Sequence, residues 1–459
     1  MIINNITIKN FRGFQERYFE FDPKMNVVLG DNTTGKTTLL HAVQIALGAF
    51  FKALKTLPRT ANFSRSFKKT DVPIIKNEAS RSFIQNDAKP SIVTNADFYF
   101  ISYDFNKKGL IENELYPIDW WREYNADYSK NSKLMYDTVG ALETIRLDAD
   151  NTHKISVFPL FLAFGNNRLE RNSYLTPQKS KPFELKLENA YKNALDDRSI
   201  DFVTVSNWIY RFDFNLKKGF EFENTDIAFF NSIKDAIPAI KDINVDSKNG
   251  EFSVKIKMTK DNEAYWLTYD LLSDGFKSMI NIVANIAYRC IMLNGFLGKD
   301  VVKETPGVVM IDEVDLFLHP HWQQHVLADL QAAFPKIQFI VTTHSPFIVQ
   351  SVESKNVITL DVNPYSKTDP KNRGIEEIAA SEMGMKDELK SVKYRMQLDL
   401  AEKYFNLINE GRAGKEEIDK VRKELNDLEL KFELFSDPAY EAYLKFKRSA
   451  LCDQSKDTK

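Results

Sequence analysis

The hydrophobic and polar positions at the start of the chain predict three strands and then a helix. Residues 2–8 and 17–21 alternate loosely, as half-buried strands do, and residues 25–29 form a short apolar run. Apolar residues recur at helical spacing over residues 39–50. Residues 30–37 are therefore predicted to connect a buried strand to a helix.

Regular patterning returns in the second half of the chain. The predicted elements there are strands at 252–258 and 265–270, a helix at 275–293, a strand at 307–311, a helix at 321–333 and a strand at 337–342. Between the two halves the patterns predict strands at 91–105 and 155–164, a helix at 185–197, and otherwise only mixed α+β structure.

The last part of the chain, from about residue 385, is predicted to be helical. Apolar residues from Ile418 to Phe435 follow an a/d seam that is too short to indicate a free-standing coiled coil. A helical hairpin that packs on its own domain is favoured over a dimer zipper, and the zipper stays open as an alternative.

Composition narrows the class of protein without naming a function. The chain has 459 residues, 43% hydrophobic and 27% charged, as globular domains do. Its net charge of −2 provides no overall basic field that would attract nucleic acid. Two distant cysteines and the lack of a signal peptide or a long apolar run predict a reduced, cytoplasmic protein outside the membrane.

One local stretch departs from this neutrality. Residues 51–89 contain nine Lys or Arg and three Asp or Glu. The stretch is interpreted either as a contact to DNA or RNA phosphates or as an ordinary solvated loop, and its charge does not decide between them.

The segment Gly30-Asp-Asn-Thr-Thr-Gly-Lys-Thr37 fits the pattern G-x-x-x-x-G-K-[ST]. It lies between a buried strand and a helix, where its backbone N–H groups can surround phosphates at a helix N-terminus. Lys36 is predicted to reach the β- and γ-phosphates, and the Thr37 hydroxyl to bind Mg²⁺. The expected ligands are therefore ATP and Mg²⁺.

The apolar run Val308–Ile311 ends in two carboxylates, Asp312 and Glu313. Ligands of α/β sheets bind at the carboxyl ends of such strands. Asp312 is predicted to hold Mg²⁺, and Glu313 to polarise the attacking water.

Two further segments complete the set of candidates. Ser273-Asp-Gly275 opens a predicted helix, where Ser273 or Asp274 could serve simply as an N-cap. His344 follows the strand at 337–342 and could donate a hydrogen bond to the γ-phosphate.

Four elements in chain order, namely Gly30–Thr37, Ser273–Gly275, Asp312 with Glu313, and His344, resemble the ABC-type ATPase head. The segment from Ile6 to Phe14, with its Asn-Phe-Arg, is similar to the RecF/SMC-like branch. Four segments resemble, more narrowly, the stand-alone bacterial AAA/ABC ATPases that pair with an HNH nuclease, as in Septu-type antiphage defence. Those segments are Phe158–Arg168, Leu272–Met279, Glu313–Pro320 and Phe435–Pro438. The head resemblance covers residues 1–50 and 265–350, and the narrower one spans most of the chain.

The resemblance implies an α/β P-loop NTPase: an ABC-ATPase head with a mixed sheet, an α+β insertion between phosphate loop and signature, and a helical C-terminal tail. The head would comprise 1–50 plus 252–384, the insertion 51–251 and the tail 385–459. Matched motif by motif, the implied nucleotide-binding residues are Arg12, Gly30, Asn32, Gly35, Lys36, Thr37, Thr38, Ser273 and Gly275.

Further roles come from the same resemblance. The implied catalytic residues are Lys36, Glu313 and His344, the metal ligands are Thr37 and Asp312, and Asp315 matches the D-loop. Asp274 departs from the family by standing where the signature has a first glycine. Gln85 is the nearest candidate for the Q-loop glutamine, and it fits a surface loop equally well.

Four functions compete for such a head. A transporter ATPase is excluded by the long interval between Lys36 and Ser273. A chromosome-structuring or repair ATPase should show sustained coiled-coil heptads in that interval, and the sequence shows none there. A nuclease of the overcoming-lysogenisation-defect type needs an acidic cluster after the head, which the mostly helical end lacks. An ATPase that controls a partner HNH nuclease is therefore favoured, with two heads enclosing two ATP molecules head to tail.

Overall fold

The structure is a computed structural model that describes residues 1–58, 63–76, 83–85, 88–124, 133–166, 187–196, 224–246, 253–260, 263–360 and 369–383, with 420 and 423. The chain divides into two compact units, Met1–Gly384 and Met385–Lys459. This division coincides with the predicted start of the tail. The predicted hairpin, the a/d seam and the segment Phe435–Pro438 lie outside the described residues.

The strands of the first unit are numbered in chain order. They are β1 Ile2–Phe11, β2 Phe14–Glu20, β3 Met25–Leu29, β4 Ile74–Lys76, β5 Phe83–Gln85, β6 Ser91–Asp104, β7 Gly109–Glu123, β8 Lys154–Ser156, β9 Leu160–Phe164, β10 Ile240–Asp246, β11 Ser253–Lys260, β12 Glu263–Thr268, β13 Gly307–Ile311, β14 Ile337–Thr342 and β15 Val357–Thr359.

The α-helices are numbered in the same way. They are α1 Lys36–Ala53, α2 Lys133–Leu147, α3 Ala149–Thr152, α4 Leu187–Tyr191, α5 Thr225–Ala236, α6 Asp274–Asn294, α7 Val301–Glu304, α8 Pro320–Gln323, α9 Val326–Ala333, α10 Pro346–Gln350 and α11 Ile375–Ser381.

The central sheet is parallel and has the strand order β15-β3-β14-β13-β9. Every residue of β3, β9, β13 and β14 is buried, which explains why their sequences are nearly continuous apolar runs. Because neighbouring parallel strands end at one edge, the segments after β3, β13 and β14 meet there.

A second, antiparallel sheet has the order β2-β1-β6-β7, with β8 also paired to β6. Buried residues of β1 are interspersed with half-buried ones, and those of β6 with half-buried or exposed ones, because one face of the sheet packs on the core and the other is more open to solvent. Together with the parallel central sheet, these strands confirm the predicted α/β fold with mixed sheets.

Strands from the predicted insertion pair with strands of the predicted head. Residues 51–251 were expected to form an insertion or lobe of mixed α+β structure. Within this range β9 is hydrogen-bonded to β13 in the central sheet, and β6 pairs with β1. The first unit is accordingly continuous from Met1 to Gly384. These pairings were not expected from the sequence, because periodicity indicates that a strand is buried but not which strand lies beside it.

Two predicted helices are also shorter than expected. The helix predicted at 321–333 is divided into α8 and α9, and of the one predicted at 185–197 only α4 is helical in the described part. Helix α6 matches its prediction closely and is the central core helix. The segment Asp274–Glu304 is apolar and long enough to cross a membrane, but 89% of its most apolar window is buried within the protein, as for a core helix.

Candidate active site

The phosphate loop leaves the carboxyl end of β3 and opens α1. Gly35, which immediately precedes α1, has a φ of 108°. A Cβ atom at this position would lie 2.7 Å from Cζ of Phe14, so both the backbone conformation and the Phe14 ring require glycine. The contact also fixes the start of β2 against the phosphate loop.

Lys36 is buried at the first position of α1. Its ammonium group donates hydrogen bonds to the carbonyl oxygens of Gly30, at 2.6 Å, and Asp31, at 3.0 Å. The one cationic side chain of the motif is thus held over the loop by backbone oxygens. A polyphosphate that enters the loop would compete with these two oxygens for the ammonium group.

Thr37 and Asp312 lie side by side although they are far apart in the sequence. The Thr37 hydroxyl donates a hydrogen bond of 2.9 Å to Oδ2 of Asp312. Hydroxyl and carboxylate oxygens are ligands that Mg²⁺ prefers, and both residues lie beside the phosphate loop. The donor set therefore fits a magnesium ion held between Thr37 and Asp312.

Glu313 follows Asp312 in a left-handed backbone conformation, with a φ of 49°. Its N–H donates to the Thr342 hydroxyl at 2.8 Å, and this hydroxyl donates in turn to Asp312. The carboxylate pair is therefore held from the end of the neighbouring strand β14. Only the position of Glu313 at this edge was expected from the sequence.

His344 lies two residues beyond the end of β14 and is exposed. The residues on either side of it are tied to the segment after β13. The Thr343 hydroxyl donates to the Asp315 carboxylate, and the Ser345 hydroxyl donates to Oε1 of Gln323 at 2.6 Å. The His344 turn and the Asp315 segment are thus one hydrogen-bonded structure.

Ser273 and Gly275 stand at the start of α6. Ser273 occupies the N-cap position and is exposed, but its side chain makes no capping hydrogen bond. Gly275 is buried against the Phe317 carbonyl. Within the described part of the chain, Ser273 makes no side-chain hydrogen bond with the phosphate loop, so the structure does not bring these two predicted elements together.

Arg12 has a buried anionic partner that the sequence did not reveal. Its Nε lies 2.9 Å from Oδ1 of Asp71, and the Arg65 guanidinium binds both oxygens of that carboxylate. Burial by itself would raise the pKa of Asp71, but hydrogen bonds from Arg65 and the Lys68 N–H, with the charges of Arg65 and Arg12, bring it below its ordinary value. Arg12 is therefore held at the turn that precedes Phe14.

The remaining predicted residues are Asn32 and Thr38, which were expected to bind nucleotide, and Gln85, the candidate Q-loop glutamine. Asn32 lies within the phosphate loop and is exposed, and Thr38 lies in the first turn of α1 and is half-buried. Gln85, the candidate Q-loop residue, ends β5 in a two-stranded hairpin with β4. The strand beside β13 is instead β9, which is followed at the site's edge by Gly165 and Asn166.

Sequence patterns alone did not single out Phe14, Asp71, Thr342 or Asn166 as neighbours of the predicted site residues or of the ends of their strands. The one available signal was that Thr342 ends a buried strand, as Ile311 does before Asp312. Polar residues at the ends of neighbouring parallel strands share an edge.

Comparison with known proteins supports the ATPase assignment. A family model described as the AAA ATPase domain matches residues 1–349. The Septu protein PtuA of Bacillus thuringiensis is 26% identical over 425 residues, which cover 89% of this chain and 91% of that protein. The Retron Ec83 probable ATPase of Escherichia coli is 25% identical over 422 residues, covering 77% of this chain and 70% of that protein.

Among solved structures, the SMC head domain from Thermotoga maritima covers 81% of this chain and 97% of that one, at 11% identity and a TM-score of 0.36. A score this low establishes nothing by itself. The family match is independent of it and includes the phosphate loop, Asp312 and Glu313. This chain therefore belongs to the AAA ATPase domain family and is a nucleotide-binding ATPase.

Proposed function

We propose that this chain is the ATPase subunit of an antiphage defence system and that it controls a partner nuclease of the HNH type. The relatives named for Septu and retron systems support the defence role. The choice of an HNH nuclease as the partner is supported by the resemblance of this chain's motifs to those of Septu-type ATPases. In this proposal the protein works in the cytoplasm.

The nucleotide is ATP, as the AAA ATPase family match supports. The observation that carries a magnesium-bound nucleotide at this site is the hydrogen bond between Thr37 and Asp312 beside Lys36. Thr37 and Asp312 would hold Mg²⁺, which when bound neutralises phosphate charge. The Lys36 ammonium exchanges its two carbonyl partners for phosphate oxygens. Glu313 orients the attacking water and accepts its proton, and His344 donates to the γ-phosphate.

Two heads associate head to tail, so that Ser273 and Gly275 of one subunit complete the site of the other. The exposed, uncapped start of α6 supports this arrangement. Its backbone N–H groups and the Ser273 hydroxyl are suited to a phosphate. Opening and closing of the dimer would then restrain or release the nuclease, and Arg12 would approach the nucleotide from the turn between β1 and β2.

The first experiment tests hydrolysis and dimerisation together. Glu313→Gln should bind ATP, accumulate as a nucleotide-bound dimer in light scattering, and lose at least about a hundredfold in turnover. Glu376→Gln, which makes the same change on the exposed surface of α11, should behave as wild type. Turnover near wild type in Glu313→Gln would refute the assignment of the base.

The second experiment tests the partner. The chain is co-expressed with the product of the adjacent gene and purified by a tag on the ATPase. Co-elution of an HNH-type protein whose DNA cleavage changes with ATP, together with protection against phage that is lost in Lys36→Ala, would support the proposal. A neighbouring repair operon and no effect on phage would instead favour the RecF/SMC-like repair function.

A further inference from the structure

We propose that Thr342 is a positioning residue for ATP hydrolysis, because one hydroxyl group fixes both the Asp312 carboxylate and the backbone of Glu313. The inference rests on the roles proposed above for Asp312 and Glu313. It assigns to the end of β14 a task that neither the sequence motifs nor the family match gives it.

The sheet register brings Thr342 to this place. Strands β13 and β14 are parallel, with Ile311 paired to Val341, so that the next residue of each strand is Asp312 and Thr342. Thr342 is fully buried. Its side chain is therefore confined between the two strand ends.

The hydroxyl uses both of its hydrogen-bonding functions. It donates to Oδ1 of Asp312 at 2.5 Å and accepts the N–H of Glu313 at 2.8 Å. The second Asp312 oxygen, Oδ2, accepts from Thr37 at 2.9 Å. The carboxylate is consequently held at both oxygens, and rotation about its side-chain bonds would break one bond or the other.

The backbone of Thr342 adds a third attachment. Its carbonyl oxygen accepts the N–H of Val314 at 3.0 Å. Three successive residues, Asp312, Glu313 and Val314, are thus bound to Thr342. They include Glu313, whose left-handed φ of 49° is unfavourable for a residue with a side chain unless its surroundings enforce it.

Removal of the hydroxyl therefore has two defined consequences. Oδ1 of Asp312 loses the hydrogen bond from this hydroxyl and the carboxylate can turn away from Thr37, while the Glu313 N–H loses its bond to the hydroxyl and the left-handed turn can relax. Both changes displace groups that are proposed to hold Mg²⁺ and to orient water. Supporting residues of this kind typically change metal affinity or activity by roughly 10- to 100-fold when they are replaced.

The hydroxyl of the neighbouring residue, Thr343, has different partners. Thr343 donates to Asp315 and accepts the N–H of Ser345, so it holds a different part of the edge. The Thr342 hydroxyl binds both Asp312 and Glu313, whereas the Thr343 hydroxyl binds Asp315 and Ser345. Thr342 is therefore the residue to alter.

The test compares Thr342→Val, which keeps the shape of the side chain without its hydroxyl, with Thr342→Ser, which keeps the hydroxyl. The matched control is Thr305→Val. Thr305 is also fully buried, its hydroxyl donates to the Val301 carbonyl oxygen, and it lies just before β13, at the end of that strand opposite to Asp312. Each change is made in the wild type and in Glu313→Gln. Steady-state turnover is measured in the wild-type background. Binding of a fluorescent ATP analogue is measured at a series of Mg²⁺ concentrations in the Glu313→Gln background.

We expect Thr342→Val to lower kcat by roughly 10- to 100-fold with a smaller change in KM. In the Glu313→Gln background, it should raise the Mg²⁺ concentration that half-maximal binding requires by a similar factor, with binding in EDTA unchanged. Thr342→Ser should restore both properties to within about threefold, and Thr305→Val should alter neither.

Two results would overturn the proposal. One is an unchanged Mg²⁺ requirement and kcat in Thr342→Val. The other is an equal loss in Thr342→Val and Thr305→Val, with equally lowered melting temperatures, which would leave Thr342 a merely structural role. Failure of the assigned base is distinguishable, because Glu313→Gln with Thr342 intact would then turn over ATP at the wild-type rate.

Discussion

Gly275 lies directly against the backbone of Phe317: a Cβ atom added to Gly275 would stand 2.6 Å from the Phe317 carbonyl oxygen. The start of α6 thus packs on the segment that follows Asp312 and Glu313 in the same chain. The rings of Phe276 and Trp322, 4.8 Å apart, extend this contact. A glycine at 275 has a packing requirement within its own subunit, besides the role that the ABC signature implies.

This contact predicts that Gly275→Ala destabilises the isolated subunit. The added methyl group meets a backbone atom that cannot rotate away, so we expect a loss of about 1–3 kcal/mol in the free energy of unfolding, and lower turnover. Urea denaturation without nucleotide would measure the loss.

Ser273→Ala separates the two effects. Because Ser273 is exposed and caps nothing, its replacement should change stability by less than about 0.5 kcal/mol while turnover falls. Equal stability of Gly275→Ala and the wild type would contradict the packing argument.

The ion pair between Asp71 and Arg65 predicts a second stability effect. Both side chains are buried, at 0% and 7% exposure, and Arg12 lies on the same carboxylate. Asp71→Asn leaves the Arg65 charge without its partner and should cost roughly 3–5 kcal/mol in the free energy of unfolding. Glu353→Asn, at an exposed ion pair, should cost no more than about 1 kcal/mol.

The same carboxylate predicts a pH dependence. Its pKa is lowered from an ordinary value of 3.8 in the folded protein, so its contribution is fully present above that value and is lost as the pH falls through the lower folded pKa. The difference in stability between the wild type and Asp71→Asn should be constant from pH 7 to about pH 5 and narrow below 3.8. A difference that narrows near neutral pH would exclude Asp71 as its source.

Asn166 and Gln85 offer a direct comparison. Phe164 is paired with Ile311, so Asn166 leaves the sheet at the edge that carries Glu313, whereas Gln85 belongs to a separate hairpin. We therefore expect Asn166→Ala to lower kcat at least about tenfold and Gln85→Ala to leave it unchanged. A loss of kcat in Gln85→Ala with none in Asn166→Ala would instead favour Gln85 as the Q-loop glutamine.

The basic stretch 51–89 predicts a salt effect if it binds nucleic acid. Lys55 and Lys68 are exposed in it, although Arg65 is already paired with Asp71. Replacing both lysines with Gln should reduce the slope of log affinity against log salt by about two on a short DNA duplex. Replacing Lys299 and Lys303 is the control, and an unchanged slope would leave the stretch an ordinary solvated surface.

The local parts of the site were predictable because their chemistry is local. The spacing of Gly30, Gly35, Lys36 and Thr37 dictates a phosphate loop, and an apolar run that ends in Asp312 and Glu313 dictates a strand end with two carboxylates. Helix α6 was equally evident from its period. In each case neighbouring residues in the sequence are also neighbours in the structure.

The tertiary structure decided which distant segments meet. The sequence determined the buried strands, the phosphate loop and the carboxylate pair, but the pairing of β9 with β13 and the bonds of Thr342 to Asp312, Asp71 to Arg12 and Gly275 to Phe317 required the folded chain. Hydrophobic periodicity indicates that a face is buried, but it does not identify the element that packs on that face. Strand order and register supply that partner, and with it the geometry around Glu313.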